Sequence, residues 1–244
     1  MKEKLRTFAQ SLGIEYIGIA PPGPYPEIEE RLRQRISSGQ YTGMEEQDTK
    51  KRVDPHLAME NVESVIVCLF PYLTDAPNGS NISKYTFLVD YHKVIKKKLE
   101  QISMFLESHI IGFEYKAFVD TGPLVERYLA YLAGLGYFGL NNQLITEKYG
   151  SYVFIGYILT NHSFEFDRPL DKKCLQCGAC IRNCPGAALM EGYNMNPTYC
   201  ASYITQKKEQ LSDTEKEIIK KSKKVFGCDI CQEVCPHNKA AEKT

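Results

Sequence analysis

The 244-residue chain has no excess of either charge: 30 Lys and Arg balance 30 Asp and Glu. That excludes a global field drawing it to nucleic acid or to a membrane surface, and leaves only a local basic patch open. No apolar run approaches the roughly 20 residues that a membrane helix needs. The opening Met1-Lys2-Glu3-Lys4-Leu5-Arg6 lacks the apolar segment that directs secretion. No repeat of solenoid period is present. Cysteine is scarce over most of the chain: the first 173 residues hold one, Cys68, inside an apolar run where it reads as an inert buried thiol. Such crowding of the others toward one end argues against a disulfide framework, and a reducing cytosol is the expected compartment.

What is present is a dense cysteine segment. Cys174-Leu-Gln-Cys177-Gly-Ala-Cys180-Ile-Arg-Asn-Cys184-Pro185 reads C-x₂-C-x₂-C-x₃-C-P, the bacterial iron–sulfur run whose fourth cysteine serves the other cluster of a pair. Cys228-Asp-Ile-Cys231-Gln-Glu-Val-Cys235-Pro236 echoes it, and Cys200 lies between. Soft, charged thiolates match iron–sulfide bonding. The x₂ spacing aims several sulfurs at one cuboidal cluster, and the x₃ step turns Cys184 the other way. On this pattern Cys174, Cys177 and Cys180 hold one [4Fe–4S] cluster and borrow Cys235. Cys228 and Cys231 hold the other and borrow Cys184, with Cys200 the nearby candidate for its fourth ligand. Two Cys₄ zinc sites would use the same eight thiolates, but zinc sites usually pair two C-x₂-C hooks.

The preceding residues read as a mixed helical and stranded region. Apolar periodicity predicts helices over 2–12, 26–37 and 91–108, and strands over 15–20, 64–70 and 114–119. Residues 38–57 read as a polar, mobile loop or lid, with Arg52-Val-Asp54-Pro55 as charged punctuation, and 71–83 as loop. Asp120 falls at a strand end, where an aspartate is often a helix N-cap. Pro123 suits the first turn of the next helix. If that helix starts there, Arg127, seven residues on, shares a face with Asp120, free for a cofactor group or a plain salt bridge. Gly134 to Asn142 form a glycine-rich stretch that brings backbone close to a neighbour. Its Gly134-x-Gly136-x-x-Gly139 follows a helix rather than a strand, so it is discounted as a dinucleotide fingerprint. Strands over 143–146 and 151–160, joined by a turn at Tyr149-Gly150, complete the region, and 161–173 reads as a linker.

Several segments resemble one family, the epoxyqueuosine reductases. They are Val119-Asp120-Thr121-Gly122-Pro123-Leu124-Val-Glu126-Arg127, Ala133-Gly134-Leu-Gly136-Tyr-Phe-Gly139-Leu-Asn141 and Tyr149-Gly150-Ser151-Tyr152-Val-Phe-Ile-Gly156. Arg52-Val-Asp54-Pro55, Asp90-Tyr91-His92, Cys200-Ala-Ser202-Tyr203-Ile-Thr205 and Phe226-Gly227-Cys228-Asp229-Ile-Cys231-Gln232 complete the match. The resemblance implies an α+β chain: an α/β cobalamin-binding domain over 1–165, then a small ferredoxin-like double [4Fe–4S] domain over 166–244. It implies that electrons pass from the clusters to the corrin cobalt, that the epoxide of epoxyqueuosine in tRNA is reduced, and that Asp120 gives a proton to the departing oxygen. Such an acid needs its pKa raised by burial. Arg52, His92, Arg127, Gly139, Asn141, Gln143, Ser202 and Tyr203 are the implied cofactor contacts. A ferredoxin or flavodoxin is the implied electron donor, and a monomer free of membranes the implied state.

Two departures matter. The family commonly has lysine where Leu140 stands, a side chain able to meet a phosphate or the cofactor. Its members often continue into helical repeats that help hold tRNA, and this chain resembles a short form ending at Thr244. With zero net charge, the lysines of 207–224 are the candidate tRNA patch, although a solvated helix face balanced by acids fits them equally. The same build could also act on a small molecule, or only carry electrons and reactivate corrinoids.

Overall fold

One strand, buried on both sides, organises the front of the molecule. The computed structural model describes residues 1–75, 77, 79–87 and 89–244, so positions 76 and 78 of the expected 71–83 loop lie outside it. Helix α1 (Lys2–Ser11) leads to β1 (Tyr16–Ala20). Then come α2 (Pro26–Ser37), the short α3 (Thr49–Val53) and β2 (Ser64–Pro71). Next are α4 (Tyr91–Glu107), β3 (Tyr115–Val119), α5 (Glu126–Leu132), the two-residue β4 (Tyr137–Phe138) and β5 (Leu144–Ile145), and β6 (Val153–Thr160). The main sheet has the order β1-β2-β6-β3, with every pair antiparallel.

Successive β2 side chains point to opposite faces. Val65, Val67 and Leu69 join the α2, α3 and α5 side, and Ile66, Cys68 and Phe70 join the α1 and α4 side. Two helical layers therefore cover one sheet, which explains an unbroken apolar run in an antiparallel strand. Burying each of the larger aliphatic side chains contributes about 1.5–3 kcal/mol. The mixture of helix and sheet is as expected, and Cys68 is fully buried, where burial pushes its thiol far above the ordinary range.

The structure corrects four local expectations. The 38–57 loop contains α3, capped by Asp48 accepting from the Lys50 amide at 2.9 Å, and a 3₁₀ turn capped by Asp54. The helix expected from Pro123 starts at Glu126 with Val125 as its N-cap, so Asp120 is neither a cap nor on Arg127's helix. The strand expected over 143–146 shrinks to β5 and pairs with β4, outside the main sheet. The 161–173 linker is strapped down. The Asp167 carboxylate accepts from Lys2, Arg6 and the Ile19 amide, each at 2.8 Å, and Phe164 is buried in the front core.

Apart from the ten-residue α8 (Asp213–Ser222), the cysteine segment uses short elements: α6 (Ala179–Arg182), β7 (Leu189–Met190), β8 (Asn194–Met195), α7 (Ala201–Ile204) and α9 (Ile230–Glu233). Buried polar groups join it to the front. Gln232 donates to the Ser151 carbonyl at 2.9 Å and to the Tyr72 hydroxyl at 3.1 Å. Asn238 donates to the Ser151 hydroxyl at 2.9 Å and accepts from the Ser151 amide at 2.8 Å. The buried Asp229 carboxylate accepts from the Ser83 hydroxyl and the Lys84 amide. Among the described residues, no helix is long and apolar enough to cross a membrane.

Candidate functional site

The chain turns sharply where β3 ends. The Thr121 amide donates to the Val119 carbonyl at 2.6 Å, and Asp120, between them, has φ of 59°. A three-residue turn with positive φ at its centre is the rarer and more strained γ form, although aspartate tolerates left-handed backbone better than most residues. Gly122 completes the turn against the ring of Tyr157, and a Cβ there would strike the Tyr157 hydroxyl. The result lifts Asp120 off the sheet. Its side chain is 56% exposed, which contradicts the burial expected of a carboxylic acid with a raised pKa. On the outer side His92 Nε2 lies 3.3 Å from the Asp120 carboxylate, and His92 Nδ1 lies 2.9 Å from Asp90. Burial works against the imidazolium charge, but these two carboxylates outweigh it and raise the His92 pKa.

Asp120 stands over a cavity of about 960 Å³ walled by Arg52, Tyr91, Glu126, Arg127 and Gln143, with Val153, Phe154 and Ile155 of β6 as an apolar floor. A second space of about 440 Å³ shares Asp120, Arg127, Gln143 and Phe154 with it and reaches Cys184, Cys200, Cys228, Cys231 and Ser202. The two form one cleft with a carboxyl at one end and four sulfurs at the other. The larger space alone is at the top of the range for small-molecule sites. Apolar floor and amide and guanidinium walls suit a broad, flat ligand with polar edges. The Tyr91 ring stacks on Phe154 with centroids 3.9 Å apart. Burial, and then the Asp120 carboxylate, push its phenol up. Burial and the like charge of Arg127 lower the Arg52 guanidinium, with Glu45 opposing.

The cysteines fall into two sets. Cys174, Cys177, Cys180 and Cys235 line a separate recess with Leu140 and Asn141, and Cys177 is exposed. In the inner set, burial pushes the Cys231 thiol well up, and the sulfurs of Cys200, Cys228 and Cys184 add to the effect. Burial, opposed by backbone hydrogen bonding, leaves Cys228 at about 11. Four crowded sulfurs of this kind ionise together only around a positively charged centre. Each set of four lines one shared space, as the ligands of an iron–sulfur cube do.

Not every residue named from sequence reaches the cleft. Arg52, Arg127, Asn141, Gln143 and Ser202 line it. Gly139 instead lines the outer recess, and its hydrogen leaves room for the Asn141 side chain. That side chain donates to the Cys231 carbonyl at 3.3 Å. Tyr203 turns away and donates to the Thr42 carbonyl at 3.2 Å, fastening the 38–48 loop to the cysteine segment. His92 touches Asp120 from outside. Leu140 is buried among Cys174, Cys180, Cys184 and Cys231; it packs between the two cysteine sets and lines the outer recess, not the cleft that Asp120 borders. Lys207, Lys216 and Lys220 pair with Glu215, Asp213 and Glu217, the pattern of a solvated face. Sequence reasoning missed Glu126. Its only signal was position, in the Asp120 segment already singled out.

Comparisons with known proteins agree with this geometry. The family described as epoxyqueuosine reductase QueG, DUF1730, matches residues 52–121, and the 4Fe-4S double cluster binding domain matches 173–238. The epoxyqueuosine reductase of Listeria monocytogenes is 34% identical over 98% of this chain, which spans 65% of that protein's length. That of Gloeobacter violaceus is 35% identical over 98% of this chain and 77% of its own. The solved structure of epoxyqueuosine reductase from Streptococcus thermophilus covers the whole chain and 68% of its own, with a TM-score of 0.94 and 31% identity. Another, with a tRNA-Tyr epoxyqueuosine-modified stem loop, has a TM-score of 0.90 and 33% identity over the whole chain and 66% of its own. A Bacillus subtilis structure of TM-score 0.91 and 33% identity, covering 99% of this chain and 66% of its own, has its catalytic aspartate loop swung out of the active site. The fold extends to a reductive dehalogenase at 15% identity and a TM-score of 0.66, covering 97% of this chain and 31% of its own, for which a B12-dependent mechanism is suggested. With relatives this similar along almost its full length, and with both sequence domains in order, the chain belongs to the epoxyqueuosine reductase family.

Proposed function

We propose that the chain is a reductase that removes the epoxide oxygen of epoxyqueuosine in tRNA. The observation that carries this reading is the meeting, in one cleft, of an exposed carboxyl on a strained turn with four cysteine sulfurs. Two [4Fe–4S] clusters, held by Cys174, Cys177, Cys180 and Cys235 and by Cys184, Cys200, Cys228 and Cys231, together with a corrin in the cleft, would supply the electrons when bound. Arg52, Arg127, Gln143, Asn141 and Ser202 offer hydrogen bonds to the corrin's amide and phosphate edges. Asp120 protonates the oxygen as it leaves, and its exposed position gives it access to a bulky substrate. The 38–48 loop, whose Thr42, Met44 and Glu45 also line the cavity, borders its open side.

The division of labour proposed is residues 1–165 for corrin and substrate and 166–244 for the clusters. The exposed Cys177 side of the outer set faces a soluble donor of the ferredoxin or flavodoxin class. The protein works as a cytoplasmic monomer.

The test is anaerobic purification, iron analysis, titration with cobalamin, and turnover of an RNA stem loop carrying epoxyqueuosine with a chemical reductant. Asp120→Asn is expected to lower turnover about 10²–10⁴-fold with iron and corrin binding unchanged. Protein that binds corrin but leaves epoxyqueuosine intact would move the substrate assignment elsewhere. Full activity of the Asn variant would remove Asp120 from the chemistry.

A further inference from the structure

The cavity wall holds a carboxyl that the assignments above do not use. Glu126 is the first residue of α5, six residues after Asp120. Its side chain lines the larger cavity. Its Oε1 is buried and finds no hydrogen-bond partner among the described residues. A carboxylate with one oxygen held this way loses hydration that its neighbours only partly replace, and avoids the cost by keeping its proton. Burial is the largest influence on Glu126 and the Asp120 charge adds to it; Arg127 and the Asp120 backbone offset part, leaving the carboxyl at about 7. The other titratable groups facing it are Tyr91 from α4 and Tyr157 from β6. The Tyr157 hydroxyl is likewise buried without a partner. Arg52 and Glu45 line the same cavity.

Removing an epoxide oxygen as water consumes two electrons and two protons, and both protons end on that oxygen. Asp120 can give only one before it must be recharged. We propose that Glu126 and Asp120 act as a proton-sharing pair, with Glu126 storing the proton in the wall and passing it to Asp120. This rests on the reading of the cleft as the reductase active site. In the first transfer the Glu126 proton passes through Asp120 to the oxygen as one C–O bond breaks, leaving an alcohol and two carboxylates. A solvent proton refills Glu126 and follows the same path to the hydroxyl, which leaves as water when the second C–O bond breaks. The two electrons come from the bound iron–sulfur and corrin groups. Two solvent protons recharge the pair through the open side of the cavity. Glu126 acts through Asp120 and is a positioning residue and a store, while Asp120 touches the substrate.

Two measurements on the cluster-loaded full chain test this. Infrared difference spectra against pH, without corrin or substrate, are expected to show a protonated carboxyl band that titrates near neutrality. The band disappears in Glu126→Gln, and in Asp120→Asn its midpoint moves to lower pH because the neighbouring charge is gone. Single-turnover rates with the epoxyqueuosine stem loop are expected to fall about 10–100-fold in Glu126→Gln, with loss of the rate's pH dependence around neutrality and partial recovery in Glu126→Asp. A wild-type protein without the band, a midpoint unmoved by Asp120→Asn, or a Glu126→Gln variant with wild-type rate and pH profile would each overturn the pair. Failure of the wild type to turn over the stem loop would overturn the substrate reading instead, and the infrared arm would still decide whether the two carboxyls share a proton.

Discussion

The front layers and the cysteine segment are held together by different forces. In front, eight-residue strands lie under helices of up to 17 residues, and both sheet faces are sealed by apolar side chains. Behind, three helices have four residues each, the strands have two, and cysteines sit inside the main apolar cluster. A segment so small rarely builds a sufficient core from carbon alone; metal sites supply what is missing. The comparison teaches that the front is a scaffold in its own right, whereas the rear takes its shape from what its sulfurs bind and from the front surface it leans on.

The strongest way to break this contrast is to remove an inner sulfur. Cys231→Ser is expected to lose the iron of its set, abolish turnover and melt the rear, while the front sheet persists. Iron analysis and a two-transition thermal scan followed by circular dichroism check it; a single unchanged transition would mean that the rear is carbon-stabilised after all. A smaller effect should follow from the joint between the regions. Gln232→Leu leaves Ser151 and Tyr72 short of a buried partner, at a cost of about 1–3 kcal/mol. Urea titration should show that loss in the rear transition first.

The smallest effect sharpens the comparison at acid pH. Glu215 is held down at about 2, first by the Lys207 ammonium and then by the Ser212 amide that completes a capping box on α8. A carboxyl depressed on folding adds stability that is complete above its ordinary value of 4.5 and is lost as pH falls toward 2. Glu215→Gln should therefore weaken the rear at pH 6, as read from the urea midpoint of the cluster-loaded protein.

Much of this was legible in the residues because the signals are local. Cluster spacing is set by a few consecutive bonds, and β2 announced its burial through an unbroken apolar run. Other features were not legible because they depend on partners far along the chain. An acid in the first turn of a helix is normally an exposed partner of the helix dipole, so nothing in the sequence marks Glu126 as dry; the Asp120 turn and the β6 floor make it so. Asp120 looked like a cap because strand-end aspartates often are; the late start of α5 at Glu126 and the left-handed Asp120 backbone separate the two. Leu140 read as a lost contact, yet it packs between sulfurs that arrive from two separate stretches of the chain. The lysines of α8 are balanced by acids at helical spacing, a pairing that composition alone left undecided.

By itself the sequence determined which sulfurs are available, in what groups they come, and that a mixed apolar scaffold precedes them, since these follow from spacing and periodicity along one segment. Only the tertiary structure decided that the inner set shares a cleft with Asp120, that the outer set reaches the surface, and that Glu126 lies dry between a charge and an apolar floor. Those relations are distances between segments up to about a hundred residues apart, and solvent exclusion, which governs both the carboxyls and the sulfurs, exists only after the layers close over them.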